Sequence, residues 1–181
     1  MDDIKYTYFN TTYDKYYQKV MTFVVAKCSD IGYVEDIVQE TFAEFFSVID
    51  KKGISYIKNE HALLLRIAKV RVYRHYSLKA RLKNLVPLTK KNKEGEETEN
   101  FRFEYKDVEE SYINSYTIKE VWRQIRTYPT DIQKIFVLHF HLDKPLREVA
   151  ELLEMTESNV KHKLYRTIGK LRKLYGGEEA T

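Results

Sequence analysis

Residues 145–175 read PLREVAELLEMTESNVKHKLYRTIGKLRKLY. Leu146, Val149, Ala150 and Leu153 line one side of a short helix behind Pro145, and Val160, Leu164, Ile168, Leu171 and Tyr175 recur at helical spacing along a second helix. Only Glu154, Met155 and Thr156 separate the two, so the second helix must cross the first sharply, and Thr156 is placed to cap it. On a wheel at about 100° per residue, the side opposite the apolar stripe carries Ser158, His162, Arg166 and Lys173, flanked by Asn159, Lys161, Lys163 and Tyr165. Two apolar helices joined by a tight turn, the second presenting short polar and basic side chains, suit entry of a helix into a major groove. Asn, Lys and Arg pair with base edges, while Thr156 and the helix N-terminus can hold a phosphate. A generic helical hairpin shares the core spacing, but the cap, the tight turn and the basic outer face agree better with DNA reading. The candidate DNA-facing residues are Thr156, Glu157, Ser158, Asn159, Lys161, His162, Lys163 and Arg166.

Upstream, Ile132, Ile135, Phe136 and Leu138 form another helical core stripe after Pro129-Thr130, a pair that suits an N-cap. Six glycines and three prolines in 181 residues are too few for a turn-rich sandwich or barrel, and long 3.6-period segments fill the chain. The expected fold is all-α. No apolar run approaches the roughly 20 residues that cross a bilayer, and Met1-Asp-Asp-Ile-Lys5 lacks the features of a secretion signal, so a cytoplasmic location is expected. The single cysteine, Cys28, can form neither an internal disulfide nor a multi-thiolate metal site, and reads as a small core residue. The polar, hydrophobically aperiodic stretch 84–111 reads as a linker, leaving two small helical domains at 10–83 and 112–176.

Charge is distributed unevenly along this frame. Residues 1–60 carry 7 basic and 10 acidic side chains, 61–91 carry 9 Lys or Arg and no acid, and 92–120 carry 4 basic against 9 acidic. Residues 155–175 are basic again, with 6 Lys or Arg against Glu157 alone. Two basic helical stretches around an acidic connector fit two contacts with one polyanion, and they equally fit two solvated helix faces. Val34, Ile37, Val38, Phe42, Phe45 and Ile49 give a further helix a strong apolar face, with Asp36, Glu40, Ala43 and Ser47 opposite and Gln39 and Glu44 flanking. Such an acidic stripe can dock a basic partner helix or simply face water. On the following helix Arg66, Lys69 and Tyr73 share a side, with Tyr76 nearby, combining phosphate-binding cations with rings on which an unpaired base can stack. Arg71 and His75 fall toward the apolar side of the same helix.

Catalysis has no visible basis here. His139 and His141 point in different directions on a helix, His61, His75 and His162 are scattered, and no phosphate-binding glycine loop, nucleophile elbow or zinc motif occurs. The reading is of a non-enzyme with no cofactor and no metal.

Taken together, these segments resemble the extracytoplasmic-function sigma factors. Pro145-Leu-Arg-Glu-Val-Ala, Glu154-Met-Thr and Val160-Lys-His-Lys-Leu-Tyr-Arg-Thr are similar to the helices and turn of that family's region 4, with Glu154 where a turn glycine is usual. Val34-Glu-Asp-Ile-Val-Gln-Glu-Thr-Phe resembles its region 2.2, and Ala62-Leu-Leu-Leu-Arg-Ile-Ala-Lys resembles regions 2.3 and 2.4, with Leu63, Val70 and Arg74 departing from the usual Trp, Asn and Asp. The resemblance implies that 10–83 binds RNA polymerase core and melts the minus-ten element, and that 112–176 reads the minus-thirty-five element of promoter DNA. It assigns core binding to Asp36, Gln39, Glu40 and Glu44. It assigns the minus-ten contacts to Lys52, Tyr56, Lys58 and Asn59 of the loop and to Arg66, Lys69, Tyr73 and Tyr76. It also implies an anti-sigma factor as partner. The competing reading is an autonomous helix-turn-helix regulator whose N-terminal block senses or dimerises.

Overall fold

The computed structural model describes residues 2–85 and 112–175. It has seven α-helices and, among the described residues, no strand: α1 (Asp2–Lys27), α2 (Val34–Lys52), α3 (Glu60–Leu85), α4 (Tyr112–Ile125), α5 (Thr130–Phe136), α6 (Leu146–Leu153) and α7 (Glu157–Tyr175). The chain divides into two compact units, Met1–Arg102 and Phe103–Thr181. Residues 86–111 of the expected linker lie outside the described residues, while Asn84 and Leu85 continue α3. At the other end α1 begins at Asp2, ahead of the expected start at residue 10.

In the first unit α1, α2 and α3 each pack against the other two. All six expected core residues of α2 are buried, and they meet Thr12, Tyr16, Val20, Val24 and Val25 of α1 and Leu64, Ile67, Ala68 and Val72 of α3. Burying a residue the size of Phe45 or Leu64 contributes about 1.5–3 kcal/mol, so this interior holds the three helices against their chain entropy. Buried threonines are satisfied within their own helices, Thr41 Oγ1 donating to the Ile37 carbonyl at 2.6 Å and Thr22 Oγ1 to that of Gln18 at 2.7 Å. Cys28 is buried, as expected, its thiol 3.2 Å from the Asp30 carbonyl.

Aromatic packing closes the α1–α2 seam. Phe9 and Tyr13 meet Phe42 with centroid separations of 6.4 and 4.6 Å, and Tyr6 and Phe9 meet Phe46 at 5.3 and 5.2 Å. These offset and edge-on pairs place several of the tyrosines at the rim of the core rather than around a ligand. Burial and a hydrogen bond to Glu60 push the Tyr8 hydroxyl up to about 12, which ties α1 to the start of α3.

The second unit is built around Ile125, Ile135, Leu138, Val149, Val160 and Leu164, all essentially inaccessible. The cap position of α5 falls on Pro129 rather than Thr130, and the Pro129 carbonyl accepts from Gln133 N at 3.1 Å. The Gln133 side chain pins the preceding turn by donating to the carbonyls of Arg126 and Tyr128 at 3.0 and 2.7 Å. After Phe136 the helix widens into a π segment, Val137–His141, closed by Leu142 N donating to the Val137 carbonyl at 3.0 Å. Asp143 follows at a φ of 50°, and His139 Nδ1 donates to the Lys144 carbonyl at 2.8 Å, so the chain turns sharply into α6.

Candidate polymerase and nucleic-acid interfaces

The α6–α7 turn is a Schellman motif. Met155 N donates to the Ala150 carbonyl at 2.9 Å, Glu154 N to that of Glu151 at 3.3 Å, and Glu154 takes the left-handed conformation at φ 57°, ψ 42°. A glycine reaches this conformation without strain, whereas an L side chain places Cβ against the following carbonyl at about 1–2 kcal/mol. Thr156 then caps α7 as expected: its Oγ1 accepts from Asn159 N at 3.3 Å. The cap occupies the Thr156 hydroxyl, leaving exposed Ser158 and the helix N-terminus to meet an anion.

Val160, Leu164, Thr167 and Leu171 form the buried stripe of α7, so Thr167 takes the inner place expected for Ile168, which is half-buried, and Tyr175 is exposed at the helix end. The Tyr175 hydroxyl reaches back to the Glu120 carbonyl at 3.4 Å. The outer face is open: Ser158, Asn159, Lys161, His162 and Arg166 are exposed. Within it Glu157 and Lys161 pair at 2.7 Å, which holds the Glu157 carboxyl below and the Lys161 ammonium above their ordinary ranges. Lys163 is different. Its ammonium lies 2.6 Å from Asp131 Oδ2, joining α7 to α5. Burial raises the Asp131 carboxyl, but Lys163 and the Ile132 N–H outweigh it and the net shift is downward. Lys163 is thus committed inside its own unit and stands apart from the expected side chains that face outward.

On α2, Asp36 and Gln39 are exposed. Glu40 and Glu44 are bound to Arg71 of α3: Nη1 donates to Glu40 Oε2 at 2.9 Å, and Nε and Nη2 donate to Glu44 Oε2 at 2.9 and 2.7 Å. The bond to Glu44, against partial desolvation, raises the pKa of the guanidinium. Helical spacing places Arg71 toward the apolar side of α3, where a charge has no use, and this clasp explains the position. Arg66, Lys69 and Tyr73 emerge together on the open side of α3, with Tyr73 76% exposed and Val70 between them also exposed at 42%. The Tyr76 side chain lies outside the described residues.

The loop before α3 is partly structural. Gly53 sits at φ 79°, ψ 161°, a region reserved for glycine, and ends α2. Lys52 Nζ lies 4.4 Å above the Tyr56 ring and 3.2 Å from its hydroxyl, which makes the pair a cationic and aromatic platform. Asn59 Oδ1 accepts from Ala62 N at 2.9 Å and so caps α3, while Lys58 is exposed. Among the described residues no helix is long and apolar enough to cross a membrane, and no group of three or more His, Cys, Asp or Glu side chains converges for a metal.

A Schellman turn, a capped second helix and an open basic face on that helix define a helix-turn-helix DNA-binding unit. The family described as Sigma-70, region 4, matches residues 118–171, from within α4 to near the end of α7, and the C-terminal unit is therefore a sigma-70 region 4. Among solved structures, the sigma factor RpoE in complex with the anti-sigma factor NepR from Bartonella quintana is similar over 94% of this chain and 98% of that one, at a TM-score of 0.46 and 14% identity. No curated protein matches the chain.

Proposed function

We propose that this protein is a sigma factor of the extracytoplasmic-function kind, which binds RNA polymerase core and directs it to a promoter. The region 4 match across the helix-turn-helix carries the proposal. The N-terminal unit supplies what an autonomous regulator would lack: an acidic helix face beside a stripe of cations and an exposed aromatic ring. In this reading Asp36 and Gln39, with the outer edges of Glu40 and Glu44, meet a basic surface of the polymerase. Arg66, Lys69, Tyr73 and the Lys52–Tyr56 platform meet the melted minus-ten strand, where a base leaving its stack at a cost of a few kcal/mol gains an aromatic surface. Lys58 adds phosphate contact there, and Asn59 acts by fixing the start of α3. Ser158, Asn159, Lys161, His162 and Arg166 read the minus-thirty-five element. An anti-sigma partner and a cytoplasmic site of action follow from the same resemblance.

Co-elution of the purified chain with sigma-free bacterial polymerase core on a sizing column tests the proposal. A stable complex, lost in Asp36→Lys with helical content unchanged, is the expected result. If the chain elutes alone yet binds DNA, the autonomous regulator is correct instead.

A further inference from the structure

We infer that Arg71 is a resident competitor for the acidic face of α2, one that lowers the affinity of that face for its basic partner and so restricts which partner can bind; this rests on the polymerase reading above. The guanidinium spans two carboxylates one helical turn apart, Glu40 and Glu44, with three hydrogen bonds of 2.7–2.9 Å. A fork that fits a guanidinium from α3 fits one from a partner equally well. The contest is real because the site is wet: the Arg71 side chain is 26% exposed, and those of Glu40 and Glu44 are 57% and 40%. Neither carboxylate is sealed in the interior, and all three Arg71 bonds fall on one oxygen of each, Oε2.

Arg71 cancels one of the two negative charges and holds both carboxylates turned toward α3. A cation approaching from outside meets a weaker field and must reorient or displace a group already in place. Exposed ion pairs are individually weak, so the clasp can be displaced by a partner that also engages Asp36 and Gln39. It is strong enough to discriminate against a polycation that offers charge alone, since specificity is set by what penalises the wrong partner as well as by what attracts the right one.

The test measures the affinity of the full chain for sigma-free polymerase core at low and moderate salt, comparing wild type with Arg71→Met, which keeps the apolar stem, and Arg71→Lys, which cannot bridge both carboxylates. Arg71→Met is expected to bind core about threefold to tenfold more tightly, with a steeper salt dependence, and Arg71→Lys to fall between it and wild type. Combining Arg71→Met with Glu40→Gln and Glu44→Gln should abolish the gain. Unchanged or weaker binding by both variants, with wild-type helical content, overturns the inference. If Arg71→Met fails to fold, Arg71→Lys alone decides it by the same criterion. Failure of wild type to bind core at all removes the polymerase reading instead, and the two failures are thereby distinct.

Discussion

Replacing Glu154 with glycine should stabilise the C-terminal unit. Glu154 holds the left-handed position of the Schellman turn at φ 57°, ψ 42°, at about 1–2 kcal/mol for an L residue. Glycine removes that strain but returns about 0.5–1 kcal/mol through the greater freedom of its unfolded chain. The net gain is about 0.5–1 kcal/mol, equivalent to a rise in melting temperature of about 2–8 °C for a unit of this size. The only tryptophan of the chain, Trp122, lies in α4, so its fluorescence follows the C-terminal unit in the intact protein. Two controls separate backbone from side chain. Glu154→Ala removes the carboxylate but keeps the strained Cβ, and Glu154→Gln removes only the charge. If Glu154→Gly melts no higher than Glu154→Ala, left-handed strain is not what limits this turn and the reasoning fails.

Gly53→Ala should behave in the opposite way: a Cβ there meets nothing within 4 Å, so any loss, expected at about 1–3 kcal/mol, is backbone strain alone, readable as an earlier urea transition in far-ultraviolet circular dichroism. The Lys163–Asp131 pair gives a pH signature. Because the folded Asp131 carboxyl is held below its ordinary range, its stabilisation is present above the unfolded carboxylate pKa and lost as pH falls through the folded value. The Trp122 melting temperature should therefore drop on acidification below about pH 4, less so in Asp131→Asn, and equal slopes would refute the link. Alanine at Lys161, His162 and Arg166 together should weaken upstream promoter binding, at a cost of about 1–3 kcal/mol for each side chain that pairs well with a base, with the Trp122 melt unchanged; equal affinity in a filter or anisotropy assay would remove these residues from the interface.

Periodicity exposed the helices because each buries one clear stripe, and in α2 every residue so chosen is buried. It erred at Thr167 and Ile168 for a definite reason: adjacent residues differ by about 100° around a helix, hydropathy favours Ile, and the neighbouring helices favour the inner position whatever occupies it. The cap at Thr156 and the turn at Glu154 were legible because local hydrogen bonding decides them. Lys163 and Arg71 were not. Which of several like charges folds back onto its own domain depends on a partner distant in sequence, Asp131 in one case and Glu40 and Glu44 in the other. Asn59 combined both difficulties, since its polar side chain fits a DNA-facing loop as well as the cap it forms.

The π segment Val137–His141 makes the placement of the DNA-binding hairpin a matter of counting. A wide turn takes up one residue more than an α-helix would, without opening a loop. Shortening this stretch by one residue would let the helix close normally and rotate everything after it by about 100°, turning Val149 and Ala150 away from the interior they now fill. Related chains that differ by one residue here would thus differ in the bearing of their hairpin rather than in the length of a connection. Variation in length is better tolerated in this unit outside the interval between Phe136 and Pro145.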